Sequence, residues 1–217
     1  MNYPNWQEEK KLLKQNFKFI AGVDEVGRGA WAGPIVAATV IFDQKFIDNN
    51  QRLIYNNFEI NDSKKLTPLK REKLFEFIIQ NALAWQTAMI SEKIIDQIGI
   101  TKANILVIKK AIEKLPIKSD YILVDAVKLL DYSIPSKSII KGDQKVYSIS
   151  AASILAKVVR DRLLIQLHKK YPEYGFDQHK GYGTKKHYNF LRQYGPCEIH
   201  RKSYKPIELA CRKVACR

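Results

Sequence analysis

The sequence has few of the features that mark secreted, membrane-embedded or disulfide-rich proteins. Only three of its 217 residues are cysteines, Cys197, Cys211 and Cys216, and their spacing matches no metal-ligand pattern, so we expect reduced thiols. The longest apolar run, PIVAATVIF, is far shorter than the roughly 20 residues that a membrane-spanning helix needs. The opening MNYPNWQEEKKLLKQNF has no apolar core of a signal peptide. We therefore expect a cytoplasmic protein without a membrane partner.

Positive charge is what the sequence has in excess, with 37 Lys and Arg residues against 22 Asp and Glu and a net charge of +15. The excess is uneven, because residues 1–126 carry a net charge of +3 and residues 127–217 a net charge of +12. A basic region favours a polyanionic partner, first nucleic acid and then an anionic membrane. A basic surface that only improves solubility would give the same totals, so the charge alone leaves both interpretations open.

The first half of the chain alternates strand and helix patterns. FKFIAGVDEVG and PIVAATVIF predict two strands joined by a glycine-rich turn, and the polar residues 43–66 predict a long connection. Thr67 is a predicted N-cap for the helix PLKREKLFEFIIQNA, with Pro68 at its first position. LAWQTAMIS predicts a third strand. Ser91 is a predicted cap for the helical stretch that follows, with a possible break at Gly99.

The second half continues the alternation and then becomes helical. YILVDA and KSIIKGD predict strands that end at Asp125 and at Asp143, and SISAASILAKVVRDRLLIQLHKKY predicts a long helix stopped by Pro172. A polar, aromatic loop leads to Thr184 and to a helix ending near Gly195, before a basic helical tail. The order predicts an α/β fold, a mixed β-sheet flanked by helices. We expect a domain over 1–172 and a small basic helical subdomain over 173–217.

Acidic residues end three of the predicted strands, namely Asp24–Glu25, Asp125 and Asp143. Sites in open α/β sheets gather at strand ends, and clustered carboxylates raise one another's pKa values unless a cation neutralises them. Mg²⁺ prefers such oxygen ligands, and two ions about 4 Å apart suit phosphoryl displacement. Neighbouring strand residues point to opposite faces. Asp24 and Glu25 therefore share a site only if the strand ends or bulges there. For Asp143 alone, a solvated carboxylate is the alternative.

Several blocks of the sequence occur in a characteristic order between about residue 20 and residue 206. They are GVDEVGRGAWAGPIV, NDSKKLTPLKRE, LVDA, KGDQKVYSISAASILAKVVRD, HKGYGTKKH and IHRKSYKP. Taken together and in this order, these blocks resemble bacterial ribonuclease HII of the type 2 ribonuclease H family. The resemblance implies a ribonuclease H-like fold whose C-terminal helical subdomain completes the substrate groove. The sequence leaves the oligomeric state open, and a monomer is the default expectation.

The implied activity is that of a metal-dependent endonuclease. It would cut the RNA strand of RNA–DNA hybrids and also cut 5′ of single ribonucleotides embedded in duplex DNA, leaving 5′-phosphate and 3′-hydroxyl ends. The matching positions make Asp24, Glu25, Asp125 and Asp143 the catalytic acids, which would bind two Mg²⁺ or Mn²⁺ ions. In this mechanism no other residue has to act as a dedicated general base.

The resemblance also supplies candidate substrate-binding residues. The turn Gly27–Arg28–Gly29 matches the family's ribonucleotide-sensing loop, and Tyr182 matches a tyrosine that stacks on the neighbouring sugar. Ser63 and Lys64 match a substrate-contacting segment. Phosphate contacts are expected from Lys180, Lys185 and Lys186. Without the family, these residues would be interpreted as a tight turn, a packing tyrosine and solvated loops.

Three further expectations concern small groups of residues. Ala30–Trp31 stands where the family usually has Pro–Leu, a difference that could loosen the sensing loop. Lys157 and Asp161, four residues apart, predict a surface ion pair. The remaining expectation is that His179, His187 and His200 are structural or face phosphate rather than catalytic, because they lack ligand spacing.

Three rival functions were weighed against ribonuclease HII. Ribonuclease HIII usually has Lys at the position of Arg28 and carries an extra N-terminal domain, for which we expect no room before residue 24. A non-catalytic nucleic-acid-binding module would gain nothing from carboxylates that face phosphate. A junction resolvase on the same fold would not account for the sensing turn and Tyr182.

Overall fold

The computed structural model describes residues 3–50, 54–55, 58–60, 63–64, 66–130 and 132–215. Cys216, predicted as a reduced thiol, lies outside them. In chain order the helices and strands are α1 (Gln7–Leu13), β1 (Ile20–Val26), β2 (Ile35–Ile41), α2 (Gln44–Asn49), β3 (Ile54–Tyr55), β4 (Phe58–Glu59), α3 (Pro68–Asn81), β5 (Ala84–Ile90), α4 (Glu92–Ile98), α5 (Ile100–Glu113), β6 (Tyr121–Asp125), β7 (Ser136–Ile139), α6 (Tyr147–Lys170), α7 (Phe176–His179), α8 (Lys185–Tyr194) and α9 (Lys205–Ala215).

A five-stranded mixed sheet in the order β5-β2-β1-β6-β7 forms the centre of the fold. β1 pairs antiparallel with β2, which pairs antiparallel with β5, whereas β6 and β7 continue the sheet in parallel with β1. Because β1 and β6 are parallel neighbours, their carboxyl ends meet at one edge. The predicted α/β fold with a mixed, helix-flanked sheet is confirmed.

Helices cover both faces of the sheet, and the alternation of side chains along each strand decides which helix they meet. Val36, Ala38 and Val40 of β2 pack with α3 and α6, whereas Ile35 and Ala37 pack with α5 on the other face. The long helix α6 lies directly on β1. A Cβ at Gly22 would come within 2.2 Å of the Ser148 backbone, so only glycine permits this close approach.

The two predicted caps, Thr67 and Ser91, and the helix break agree with the structure, and Thr184, which was not predicted as a cap, also acts as one. The side chains of Thr67, Ser91 and Thr184 accept hydrogen bonds from backbone amides at the first turns of α3, α4 and α8. Gly99 has φ +79° and separates α4 from α5, as the sequence indicated. These features depend on contacts within a few residues, which explains why the sequence predicts them well.

Three parts of the chain differ from the prediction. β7 ends at Ile139 rather than at Asp143, since Lys141 adopts a left-handed conformation (φ +56°) that turns the chain before a short 3₁₀ helix, Gly142–Gln144. The connection predicted over 43–66 contains α2, capped by Asp43, and the β3–β4 hairpin. The loop predicted after Pro172 contains a 3₁₀ turn and α7. All of these elements are short, so hydrophobic periodicity gives little signal for them.

The C-terminal helices pack around a small apolar cluster of their own. It consists of Ala32, Leu164, Tyr174, Phe176, Leu191, Ile199 and Ile207. Two of its members, Ala32 and Leu164, come from the β1–β2 connection and from α6, so this region is joined to the sheet side of the molecule. The division at residue 172 stays a prediction.

Within the described ranges, none of the helices has the length and apolar character required to cross a bilayer.

Candidate active site

Three aspartates meet at the carboxyl end of the central strands. One carboxylate oxygen from each of Asp24, Asp125 and Asp143 lies within 4.8 Å of the other two. Asp24 and Asp143 are buried, at 6% and 4% exposure, and Asp125 is half-buried. Three of the four predicted acids thus form a compact cluster of hard oxygen donors.

The sheet and one turn bring these carboxylates together. Asp24 and Asp125 each follow the paired residues Val23 and Val124 of the parallel strands β1 and β6, so they lie side by side. Asp143 arrives in the 3₁₀ turn, whose Gly142 amide donates to Asp125 Oδ1 at 2.7 Å. Left-handed non-glycine residues flank two of the acids, Ala126 at φ +48° and Lys141 at φ +56°. Such conformations are uncommon and concentrate at functional sites.

Glu25 takes a different position from Asp24. β1 continues regularly to Val26, with Asp24 opposite Ala38 and Glu25 opposite Ala37, so the strand neither ends nor bulges between the two acids. Glu25 therefore turns toward α5, where Asn104 Nδ2 donates to Glu25 Oε1 at 3.2 Å. The other oxygen, Oε2, is buried and accepts no hydrogen bond from the described residues. Glu25 therefore lines the same cleft as Asp24 and Asp125 but is not a member of the three-aspartate cluster.

Burial of these acids makes their negative charge unfavourable. Burial first, and then repulsion by Glu25 and Asp125, raises the pKa of Asp24 well above its usual range. Burial also raises the pKa of Glu25, with a further contribution from Asp125. A divalent cation would neutralise this charge and use the free Glu25 oxygen. The donor set is all carboxylate, which fits Mg²⁺ or Mn²⁺ better than soft metals.

A cleft of about 400 Å³ opens at the acids and collects most of the predicted substrate-binding residues. It is lined by Asp24, Glu25, Val26, Gly27, Arg28, Gly29, Ser63, Lys64, Asp125, Ser153, Lys157 and Tyr182. Lys64 Nζ lies 3.8 Å from Asp143 Oδ2, and Ser63 Oγ lies 3.0 Å from Ser153 Oγ on α6. The turn, the Ser63–Lys64 segment and Tyr182 are therefore brought together around the acids, although they are far apart in sequence.

The three predicted phosphate-binding lysines, Lys180, Lys185 and Lys186, do not line this cleft. Lys180 lines a neighbouring cleft of about 230 Å³, and its own carbonyl accepts a hydrogen bond from Arg160. Lys185 is the exposed first residue of α8, with Lys186 next to it. These positions continue the basic surface away from the acids, beyond Tyr182.

Comparison with known proteins agrees with this geometry. The family model of ribonuclease HII matches residues 21–207. The chain belongs to the ribonuclease HII family. It is 52% identical over 196 residues to ribonuclease HII of Caldicellulosiruptor bescii, a match that covers 90% of this chain and 91% of the relative. Ribonuclease HII of Chlamydia pneumoniae is 45% identical over 204 residues, covering 94% and 91% of the two chains.

Solved structures give the same result for the fold. The crystal structure of ribonuclease H2 from Pyrococcus horikoshii superposes with a TM-score of 0.74 at 29% identity, covering 92% of this chain and all of that one. Ribonuclease HIII "Bst-RNase HIII", solved in complex with Mn²⁺, shares the fold with a TM-score of 0.64 at 18% identity, covering 92% and 71%. The chain is thus a ribonuclease H-type hydrolase, and the resemblance found in the sequence is confirmed.

The buried partners of the acids are harder to find from the sequence than the acids themselves. Asn104 is a polar residue on the apolar face of α5, and that exception to the pattern is the only local signal. The pair Lys157–Asp161 forms at 2.7 Å, but the prediction of a surface position is wrong, because the side chains are only 16% and 15% exposed. Burial lowers the pKa of Lys157, which lines the cleft on the α6 side.

Trp31, the departure from the family pattern, packs under the Tyr182 loop. A Cβ at Gly183 would meet the Trp31 ring at 2.2 Å, and the ring centre lies 5.4 Å from that of His187. The main chain of Trp31 is also paired, since its N–H donates to Gly181 O at 2.8 Å and its carbonyl accepts from Arg201 N at 2.8 Å. The replacement of Pro–Leu by Ala30–Trp31 thus leaves a segment held on both sides.

The histidines form a buried hydrogen-bonded chain. A carbonyl only accepts, so His187 donates from Nδ1 to Tyr182 O at 3.0 Å. His187 Nε2 then accepts from His200 Nε2 at 3.0 Å, and His200 Nδ1 accepts from the Cys197 amide at 3.0 Å. Burial lowers the pKa of His187 to about 3 and that of His200 to about 4. Both histidines are therefore structural, which is one of the two roles expected for them.

Proposed function

We propose that this protein is a metal-dependent endoribonuclease that hydrolyses the RNA strand of RNA–DNA hybrids and also cuts on the 5′ side of single ribonucleotides embedded in duplex DNA. The products carry 5′-phosphate and 3′-hydroxyl ends. The observation that carries the proposal is the three-aspartate cluster that opens into the same cleft as Gly27, Gly29 and Tyr182.

The acidic side of the cleft does the chemistry. Asp24, Asp125 and Asp143 would hold two Mg²⁺ or Mn²⁺ ions, with Glu25 providing its unsatisfied oxygen. When bound, such ions activate a water for in-line attack and stabilise charge on the leaving 3′ oxygen. The carboxylates act as ligands, and Asn104 holds Glu25 in position by its hydrogen bond. Lys157, the cation beside them, would bring a phosphodiester of the substrate to the acids.

The opposite side of the cleft recognises the sugar. Only a 2′-hydroxyl distinguishes RNA from DNA at a single sugar. No described residue other than its chain neighbours comes within 4 Å of the position where a Cβ of Gly29 would stand, so its backbone can approach a sugar closely. Tyr182 would stack on the neighbouring sugar, with Arg160 5.3 Å and Lys157 5.8 Å from its ring centre. Lys64, Lys180 and Lys185 would add sequence-independent phosphate contacts.

The experiment compares a DNA duplex that contains one ribonucleotide with the same duplex made of DNA alone, each with Mg²⁺, Mn²⁺ or EDTA. We expect cutting 5′ of the ribonucleotide only with a divalent ion, and loss of cutting in Asp125→Asn. An RNA–DNA hybrid is the third substrate, and it should be cut in its RNA strand.

Three outcomes would contradict the proposal in different ways. Binding of both duplexes without cutting would leave a nucleic-acid-binding protein. Cutting of the hybrid alone would retain the ribonuclease H activity but remove the recognition of single ribonucleotides. Full activity in Asp125→Asn would place the chemistry elsewhere.

A further inference from the structure

A buried arginine and a half-buried tyrosine converge on one carbonyl of the Gly27–Arg28–Gly29 turn. The guanidinium of Arg201 donates from Nη1 to Arg28 O at 3.0 Å, and the Tyr204 hydroxyl donates to the same oxygen at 2.6 Å. Arg201 Nη1 also lies 2.9 Å from that hydroxyl, so the three groups form a closed triangle. We call Arg201 and Tyr204 the carbonyl clamp.

The clamp extends along the segment that follows the turn. Arg201 Nε and Nη2 both donate to Gly33 O, at 3.0 and 2.9 Å, and the Arg201 amide donates to Trp31 O. Arg201 is fully buried. Placing a guanidinium in the interior is unfavourable unless its donors are satisfied, and here backbone carbonyls satisfy them. A cation kept in this place at such a cost suggests that the orientation of the carbonyls matters.

The orientation of a carbonyl fixes the direction of the next amide. In a planar trans peptide, the carbonyl of residue 28 and the N–H of residue 29 point in opposite directions. Because Arg28 O points to the clamp, the Gly29 N–H points away from it, and Gly29 itself lines the cleft. Glycine has no Cβ to resist rotation of this peptide. The turn sequence by itself therefore leaves the direction of the Gly29 amide open.

We propose that Arg201 and Tyr204 are positioning residues that set the discrimination between ribonucleotides and deoxyribonucleotides. They hold the Arg28–Gly29 peptide in the one orientation that presents the Gly29 amide to the sugar bound in the cleft. The inference rests on the proposed function, since it assumes that this face of the cleft reads the 2′-hydroxyl. It gives the C-terminal segment a role in recognition, in addition to any phosphate contacts of its lysines.

The test uses Tyr204→Phe, which removes one hydroxyl and keeps the ring. Tyr174→Phe is its matched control, because Tyr174 is also a tyrosine of the C-terminal region that donates to a backbone carbonyl, Gly195 O at 2.8 Å, but away from the turn. Dissociation constants are measured with Mg²⁺ in an Asp125→Asn background, which is expected to prevent cutting. The ligands are the duplex with one ribonucleotide and the same duplex of DNA alone.

We expect Tyr204→Phe to reduce the ribonucleotide preference, the ratio of the two dissociation constants, by about fivefold, the worth of one hydrogen bond. Affinity for the DNA duplex should stay unchanged. Tyr174→Phe should give the same ratio as the protein in which both Tyr174 and Tyr204 are present. Arg201→Lys keeps the charge but loses the planar fork, so its ratio should fall further. In the cutting-competent enzyme, kcat/KM at the single ribonucleotide should fall in the same order.

An unchanged ratio in Tyr204→Phe would overturn the inference. An equal loss of affinity for both duplexes would also overturn it, because that result is expected of a residue with only a structural role. If the protein with an intact clamp shows no preference for the ribonucleotide duplex, the proposed function fails and the inference fails with it. A failure of the proposed function is thus distinguished from a failure of the clamp alone.

Discussion

The two walls of the cleft are built by different means. The acidic wall stands on secondary structure, with Asp24 inside β1, Asp125 at the end of β6 and Asp143 in a turn bonded to Asp125. The recognition wall is a loop held from outside. Arg160 of α6 donates to Pro34 O, Ala32 O and Lys180 O, and Arg201 donates to Arg28 O and Gly33 O.

The difference indicates what each wall requires. Metal ligands need short, fixed separations, which paired strands supply from their own hydrogen bonds. Recognition of a sugar needs backbone groups that face outward, and these lack regular partners within a loop. In place of the hydrogen bonds that a neighbouring strand would provide, buried arginines donate to the loop carbonyls and hold them pointing inward. The acidic wall should therefore resist changes elsewhere in the protein, and the recognition wall should depend on residues far away in sequence.

The largest effect is expected from Asp24→Asn, which alters the acidic wall alone. Activity should fall by about 10³-fold or more, because several kcal/mol of transition-state stabilisation are lost. Since burial raises the pKa of Asp24, its ionised form destabilises the metal-free fold, and this penalty grows as pH rises through the folded pKa. Without metal, the variant should therefore melt at a higher temperature than the original protein without metal. The difference between the two melting temperatures should be larger at about pH 8 than at about pH 5.

The control for that variant is Asp48→Asn, on the exposed face of α2. It should change neither activity nor the melting temperature. If the Asp24 variant instead melts at a lower temperature without metal, and its activity falls only in proportion to the fraction of unfolded protein, the carboxylate serves stability rather than ion binding.

A smaller loss should follow from Gly29→Ala, which alters the recognition wall without a clash inside the protein. In the part of the chain that the structure describes, only the chain neighbours of Gly29 come within 4 Å of the added Cβ, so the free energy of unfolding should stay within about 0.5 kcal/mol. The methyl group would instead meet the sugar, and kcat/KM should fall by about tenfold, the equivalent of about 1.4 kcal/mol. Chemical denaturation and kinetics on the single-ribonucleotide duplex measure the two quantities. Equal kinetics would remove Gly29 from the contact surface.

Acid should weaken the recognition side through its histidines. Burial lowers the pKa of His187 to about 3 and that of His200 to about 4, from the ordinary 6.5. Between about pH 6.5 and pH 4 the unfolded chain binds protons that the folded chain does not, so this contribution to stability is complete above 6.5 and is lost as pH falls. His200→Gln should flatten the decline in unfolding free energy over that range. His168→Gln, at the surface of α6, serves as the control.

The smallest effects are expected on the basic surface beyond Tyr182. Lys180→Gln and Lys185→Gln should each lower the slope of log affinity against log salt by about one, with similar losses for hybrid and DNA duplexes. Lys114→Gln, exposed at the far end of α5, is the matched control. A change in ribonucleotide preference in either variant would give these lysines a part in recognition and weaken the contrast between the two walls.

The sequence by itself predicted the parts that depend on neighbours in the chain. The caps at Thr67 and Ser91 and the break at Gly99 follow from local chemistry and were confirmed. The mixed, helix-flanked sheet followed from the alternation of strand and helix patterns. The family followed from motifs in order. The placement of Asp143 on a strand was wrong, because Lys141 turns the chain after Ile139.

Only the tertiary structure decided what supports the two walls. Asn104 reaches Glu25 across 79 positions of the chain, and Tyr204 reaches the carbonyl of Arg28 across 176. Such pairs leave no periodicity or spacing in a single sequence, since their distance is set by how helices pack on the sheet. The sequence therefore determined which residues could do the chemistry. Packing determined how they are held, because hydrogen bonds between distant segments form only once the fold has brought those segments together.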